Sequence, residues 1–260
     1  MCFIVLVLLW YFSIVAVRFI ISHIMHYPLH FAIIPDGNRT RSKQQGLSVF
    51  EWYLQSVQVA ITLIQHIFTT TPIEVFTGRG MSTDNLQKRP NEESTYLFEM
   101  YRTFGEELHT FFAQHHINFK RIGNPLGIPE DFLDYLQKMS QQFHFPESRK
   151  TVVFAVNYSG QDEILRGIQG YIADTNNNKK SQIEVSDISQ YMDLHNTPPV
   201  DLIMRTKWNV SSRLSGFMSR RSSYAELYFT PKLYPEIHTK DIDEALVWFD
   251  SISTHRNFGK

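Results

Sequence analysis

The sequence predicts one α/β domain with a mostly parallel central sheet of about six strands flanked by helices. Three observations predict it. Short apolar, β-prone runs end in turn residues at 30–34, 73–77, 119–122, 151–156, 201–204 and 225–229. Longer stretches of helical periodicity alternate with these runs, which is the order of a parallel sheet. At 260 residues the chain is long enough for one large core, and no low-complexity linker divides it.

Taken in order, the chain opens on an apolar run from Cys2 to Val17 broken only by Ser13, and after Arg18 it resumes with Phe19, Ile20 and Ile21. That is close to the roughly 20 residues that span a bilayer, with Arg18 able to snorkel to one interface. Residues 1–24 therefore read as a hydrophobic segment, either a membrane anchor at the cytoplasmic face or a signal peptide without an evident cleavage site. Residues 25–260 form the expected domain.

The first strand stops at Asp36-Gly37-Asn38, the composition of a tight turn that opens a helix. A carboxylate and free amides at a helix start can hold a metal ion and a phosphate together. The same residues also serve as an ordinary turn and cap. Arg39, Arg41 and Lys43 make the helix start basic, and 48–68 is a long helix apolar on most of its circumference. Strand 73–77 delivers 82–89 as a loop. Helix 93–116 carries Tyr96, Leu97, Met100, Tyr101, Phe104, Leu108, Phe111 and Phe112 at i, i+3, i+4 spacings. Strand 119–122, helix 129–142, strand 151–156 and helix 162–173 follow, then a polar surface loop at 176–180 and the last two strands. Asp36, Asp84, Asn157 and Arg205 fall at carboxyl ends of strands, where parallel sheets bind ligands. Glu226 lies near the start of its strand.

Composition narrows the function. The formal net charge is −1, so no general nucleic-acid footprint is present, and the arginines act as local clusters. Cys2 is the only cysteine, which excludes an internal disulfide and a cysteine-built zinc site. Of the eleven histidines, none has metal-ligand spacing; His115 and His116 are adjacent and cannot share a helix face.

Several motifs stand in one order along the chain. They are Asp36-Gly37-Asn38-Arg39, Ser82-Thr83-Asp84-Asn85 with Arg89-Pro90, Ile122-Gly123-Asn124, and Asn157-Tyr158-Ser159-Gly160. Asp201-Leu202-Ile203-Met204-Arg205-Thr206 follows, with Arg213-Leu214-Ser215-Gly216-Phe217 and Tyr224-Ala225-Glu226-Leu227-Tyr228-Phe229. Together they resemble the cis-prenyltransferases, the undecaprenyl and dehydrodolichyl diphosphate synthase family, from about His30 to the C-terminus.

The resemblance implies condensation of isopentenyl diphosphate with an allylic diphosphate, giving a cis-polyprenyl diphosphate of the lipid-carrier type. It implies Mg2+ as cofactor and a hydrophobic tunnel lined by the two long helices. Asp36 matches the central catalytic and metal residue, Glu226 the second metal carboxylate, and Asn38 and Asp84 the remaining catalytic set. Gly37, Arg39, Arg41, Ser82, Asn85 and Arg89 match substrate-binding positions. Arg205, Arg213 and Ser215 match the pocket for the diphosphate of isopentenyl diphosphate. Expected partners are a related chain, as homodimer or heterodimer, and a membrane surface. The ending Arg256-Asn257-Phe258-Gly259 resembles the tail by which one subunit of such dimers completes the other's site. Family members often begin shortly before the first strand, which leaves Met25 as an alternative start.

Departures concentrate on the allylic side. Where the family has Arg then an aromatic, this chain has Thr40 then Arg41, so Arg39 or Arg41 is expected to substitute. Val49 and Trp52-Tyr53 stand where an arginine and a Gly-His pair are usual, and Asp84-Asn85-Leu86 replaces Glu-Asn-Trp. Two additional residues separate Arg205 from Arg213, with Lys207-Trp208-Asn209 in that interval, and Arg220 replaces an aromatic. Each lost charge-assisted hydrogen bond removes roughly 1.5–3 kcal/mol, so weak or altered allylic binding is expected. Two functions follow: an active Mg2+-dependent prenyltransferase, or a weakly active homologue serving as the accessory subunit of a heteromeric one. The retention of both Asp36 and Glu226 favours the first.

Overall fold

Strand β1 (His30–Ile34) is buried along its length, and its successive side chains serve two different cores. Phe31 and Ile33 join one cluster, Ala32 and Ile34 the other. That is the period-two alternation of a strand, and a strand apolar on both sides requires cover on both. The computed structural model describes residues 25–89, 91–174, 182–209 and 212–253.

The strands that join β1 are β2 (Val75–Ser82), β3 (Asn118–Ile122), β4 (Thr151–Tyr158), β5 (Leu202–Arg205) and β6 (Glu226–Phe229). They form one six-stranded sheet in the order β3-β4-β2-β1-β5-β6, and every pair is parallel. The helices are α1 (Asn38–Gln45), α2 (Val49–Thr70), α3 (Thr83–Lys88), α4 (Asn91–His115), α5 (Glu130–Gln142), α6 (Gly160–Asp174), α7 (Val185–Ser189) and α8 (Thr239–Ser253). The larger core lies on the Phe31 face, where α2, α4, α5 and α8 contribute Ile64, Phe112, Phe132 and Phe249. The opposite face is sealed by Tyr158, Leu194, Phe217 and Met218.

Local chemistry explains the helix starts. Ser48 caps α2: its hydroxyl accepts from the Glu51 amide at 3.3 Å, while the Glu51 carboxylate accepts from the Ser48 amide at 3.0 Å. The segment 82–89, expected as a loop, is helical instead. Ser82 is its cap, accepting from the Asn85 amide at 3.2 Å, and Asp84 and Lys88 complement the helix dipole at either end. Strand β2 starts two residues later than expected and runs five further, through Gly78-Arg79-Gly80, because β4 continues to pair with it after β1 has ended opposite Gly78. Helix α8 was not evident from the sequence. It buries Ile242, Ala245, Leu246 and Phe249 along one stripe.

Residues 1–24, the loop at 176–180 and the tail at 256–259 lie outside the described residues. Among the described residues no helix is long and apolar enough to cross a membrane.

Two features of β1 and its turn carry testable consequences. His30 is fully buried; its Nδ1 lies 2.9 Å from the Pro198 carbonyl and its Nε2 2.7 Å from the Thr77 hydroxyl. A carbonyl only accepts, so Nδ1 donates, Nε2 accepts, and the ring is neutral. Burial, with the Arg221 charge adding to it, lowers the pKa to about 4. The unfolded chain therefore takes up this proton first, and the stability it protects is lost as pH falls from about 6.5 toward 4, on the order of 3 kcal/mol in full. Urea titrations across that range should show a shallower pH dependence in His30→Gln than in the wild type.

Gly37, the cap of α1, has φ 109°, and a Cβ there would lie 2.8 Å from the Leu233 side chain. Gly37→Ala should lower stability by about 1–3 kcal/mol, read as a lower urea midpoint at unchanged m.

Candidate active site

The turn after β1 is held from β5. Thr206, fully buried next to the end of β5, accepts from the Asp36 amide at 2.7 Å and donates to the Asp36 carbonyl at 2.6 Å. The same carbonyl accepts from the Tyr234 amide at 3.0 Å. With backbone fixed on both sides, the Asp36 carboxylate has one place to go. It meets Arg205, whose Nη2 donates to Asp36 Oδ2 at 2.8 Å.

Arg205 is only 5% exposed. Its Nη1 donates to the Ser215 hydroxyl at 3.2 Å and to the Arg213 carbonyl, and its Nε is buried without a hydrogen-bond partner among the described residues. Ser215 has φ 50°, in the left-handed region. A buried guanidinium with one carboxylate contributes little net stability, since desolvation offsets the attraction. Strained backbone and an unsatisfied donor beside it mark a site rather than a structural pair.

The pair stands at the mouth of a cavity of about 460 Å³. Seven cationic side chains line it, Arg39, Arg79, Lys88, Arg89, Arg205, Lys207 and Arg213, against two carboxylates, Asp36 and Asp84. Burial, and then the Arg205 charge, lower the pKa of Arg79 to about 10, still high enough to stay charged at neutral pH. Arg89 is partly sunk in the wall; its Nε lies 3.6 Å from Glu93 Oε1, an ion pair too long for a hydrogen bond, and Nε and Nη1 make no hydrogen bond among the described residues. Glu93 instead accepts from Tyr53 at 2.7 Å and from Arg39 at 3.2 Å. The rest of the lining is largely apolar: Val57, Ala60 and Ile64 of α2, Leu97, Met100 and Phe104 of α4, and Phe76, Val152 and Phe154 of the sheet.

Most residues expected in the site are brought together here. Asp36, Gly37, Asn38, Arg39, Ser82, Asp84, Asn85, Arg89, Arg205, Arg213 and Ser215 all line the cavity. Their depth differs. Ser82 is buried as a helix cap, Asn38 accepts from Ser56 at 3.1 Å, and Asp84 sits on the exposed rim, 3.7 Å from Lys88.

Arg41 and Glu226 are not brought in. Arg41 does not line the cavity; it pairs with Glu236 at 3.0 Å. Glu226 begins β6 opposite Leu202, three residues before Arg205, which leaves it about 10 Å short of the strand ends that build the mouth. Within one chain the expected carboxylate pair Asp36 and Glu226 does not converge. Arg79 and Lys207 are in the site but were not among the expected residues. The signal for Arg79 is a lone cation between two glycines on a strand, and for Lys207 a cation directly after Arg205-Thr206.

The donor set suits a hard cation brought by a phosphate. Among the described residues no three His, Cys, Asp or Glu side chains cluster as a metal cage. Magnesium needs none, because it binds through one or two carboxylates plus substrate phosphates, and Asp36 at 35% side-chain exposure is a carboxylate that would be available to it.

Comparison with known proteins agrees with this geometry. The family model described as "Putative undecaprenyl diphosphate synthase" matches residues 34–259. An isoprenyl transferase of Thermotoga maritima is 29% identical over 235 residues, covering 90% of this chain and 98% of that one. The crystal structure of lavandulyl diphosphate synthase from Lavandula x intermedia, in complex with dimethylallyl diphosphate, superposes with a TM-score of 0.78 at 27% identity. It covers 86% of this chain and 95% of that chain. A probable undecaprenyl diphosphate synthase from Campylobacter jejuni shares the fold, with a TM-score of 0.72 at 24% identity over 91% of this chain and all of that one. A parallel sheet whose strand ends gather guanidinium groups and two carboxylates at a cavity with apolar walls accords with that match, and the family model over residues 34–259 places this chain in the undecaprenyl diphosphate synthase family of prenyltransferases.

Proposed function

We propose that this chain condenses isopentenyl diphosphate with an allylic diphosphate to give a cis-polyprenyl diphosphate. The observation that carries this reading is the Asp36–Arg205 pair, 2.8 Å apart, at the cationic mouth of a cavity with apolar walls. The two halves suit the two halves of a prenyl diphosphate. Its charged end needs guanidinium and amide donors; its chain needs a dry wall.

In the reaction the allylic C–O bond breaks and pyrophosphate leaves with the bonding electrons. The double bond of isopentenyl diphosphate supplies the new C–C bond, and a proton is lost to form the new double bond. Pyrophosphate leaves only where its charge is met, and preorganised donors meet it without reorganising. Arg205 and Arg213 act on the isopentenyl side, where a guanidinium fork matches phosphate oxygens. Arg39 and Arg89 stand toward the allylic side, with Glu93 steering Arg39. Asp36 would hold magnesium, which when bound adds positive charge at the leaving group. The apolar walls from α2 and α4 receive the growing chain. A product with a long apolar chain and a charged head group, together with the apolar run from Cys2 to Val17, supports work at the cytoplasmic face of a membrane.

The test is incorporation of labelled isopentenyl diphosphate by the full-length chain in detergent, with magnesium and allylic diphosphates from dimethylallyl upward. Chain extension should stop on chelation. Asp36→Ala should fall at least about 100-fold in turnover while remaining folded, with a lowered melting temperature because the buried Arg205 loses its carboxylate. Undiminished extension by Asp36→Ala would remove Asp36 from the mechanism. No extension by the folded wild type with any starter would shift the reading to an accessory subunit.

A further inference from the structure

Arg79 reaches the cavity by an irregularity in β2. The pairing register with β4 shifts between Arg79 and Met81, and such a bulge re-aims the side chains beside it. Packing fixes the irregularity in place. A Cβ on Gly80 would lie 2.6 Å from the Phe154 ring, so only glycine fits, and Tyr101 of α4 donates to the Gly80 carbonyl at 2.8 Å. The chain thus holds a long cation at a defined point on a central strand.

What the guanidinium meets there is incomplete. Its Nη2 donates to the Ser215 carbonyl at 3.1 Å and its Nη1 to the Leu214 carbonyl at 3.4 Å, with the Phe217 ring centroid 5.7 Å away. Among the described residues no carboxylate pairs with it. Arg205, which donates to the Ser215 hydroxyl in the same loop, repels it. A strut that only pinned two carbonyls would need no charge, and a neutral donor would do so without repulsion. Asp36 and, from the exposed rim, Asp84 attract Arg79, but two partly desolvated guanidinium groups, with Arg213 and Lys207 lining the same cavity, still leave an excess of positive charge that an anion between them relieves.

We infer that Arg79 is a diphosphate-binding residue of this chain, gripping with Arg205 the diphosphate that docks over the loop at 213–215. The inference rests on the prenyl diphosphate reading above. It adds a contact from β2 that the expected residue set did not contain, and it offsets in charge the arginine replaced by Thr40.

Inorganic pyrophosphate, titrated calorimetrically into the full-length chain with magnesium, is the probe. The proteins are the wild type, Arg79→Gln, Arg79→Lys and Arg205→Gln, each checked by thermal melting. Arg79→Gln should melt no lower than the wild type and bind pyrophosphate about 10- to 100-fold more weakly, as loss of one charged contact requires. Arg79→Lys keeps the charge and should stay within about tenfold of the wild type. Wild-type affinity in Arg79→Gln beside lost affinity in Arg205→Gln would make Arg79 a loop strut and overturn this inference alone. If Arg79→Gln does not fold, Arg79→Lys decides: a loss as large as that of Arg205→Gln overturns the inference, and retained binding supports it. A folded wild type that binds no pyrophosphate would overturn the inference and the proposed function together.

Discussion

Arg205 ends β5 almost fully enclosed, and among the described residues Asp36 is the carboxylate that pairs with it. Much of the mouth is arranged around burying that charge. The parallel register sets Ile34 of β1 level with Arg205, so the turn two residues later arrives over the guanidinium. Thr206, the next residue of the chain, grips both the amide and the carbonyl of Asp36. Sheet pairing therefore delivers acid and base to each other, and a single buried hydroxyl removes the backbone freedom that would separate them. The turn also depends on Gly37, because Leu233 occupies the space a side chain would need.

The pair is a poor stabiliser and a good receptor. A partly exposed carboxylate neutralises one buried guanidinium, while Arg79, Arg213 and Lys207 line the same cavity. Their repulsion is tolerated because the sheet and the two long helices pack independently of it, around Ile64, Phe104, Phe112 and Phe154. Stability is thus supplied by the apolar layer, and the mouth is left electrostatically unsatisfied. An incoming diphosphate finds donors already oriented in a site partly shielded from water, which is where such donors act most strongly.

The parallel architecture was legible because strand and helix periods differ and alternate cleanly, as Phe31 and Ala32 facing opposite cores illustrate. Asp36 and Arg205 were legible because a motif at a strand end fixes where its residues go, whereas Arg213 and Ser215, in the loop beyond β5, were expected only from the family resemblance. Other features depended on partners far along the chain. Arg39 and Arg41 sit two residues apart on one short helix, yet Glu93 draws one to the cavity rim and Glu236 holds the other away. Thr83–Lys88 read as a loop because its short polar run has no apolar stripe; its cap, Ser82, is the feature that reveals it. Gly78-Arg79-Gly80 read as the end of a strand, since two glycines weaken one, and only the pairing with β4 shows a bulge instead.

Position along the chain is a weaker constraint on this site than charge at a point in space. Every strand of a parallel sheet ends on the same side, so a donor missing from one loop can be supplied by another. Thr40 stands where an arginine was expected after Arg39. The Nζ of Lys207, from the loop that follows β5, lies 2.8 Å from the Thr40 hydroxyl. That lysine adopts φ 59°, a conformation its side chain disfavours, and its amide donates to the Lys232 carbonyl at 2.8 Å. Tertiary hydrogen bonding therefore holds the strained turn that presents the amine. The loop after β1 carries threonine where an arginine was expected, and the loop after β5 places an amine beside it. Substitutions in such a site are best judged by which strand end now carries the donor.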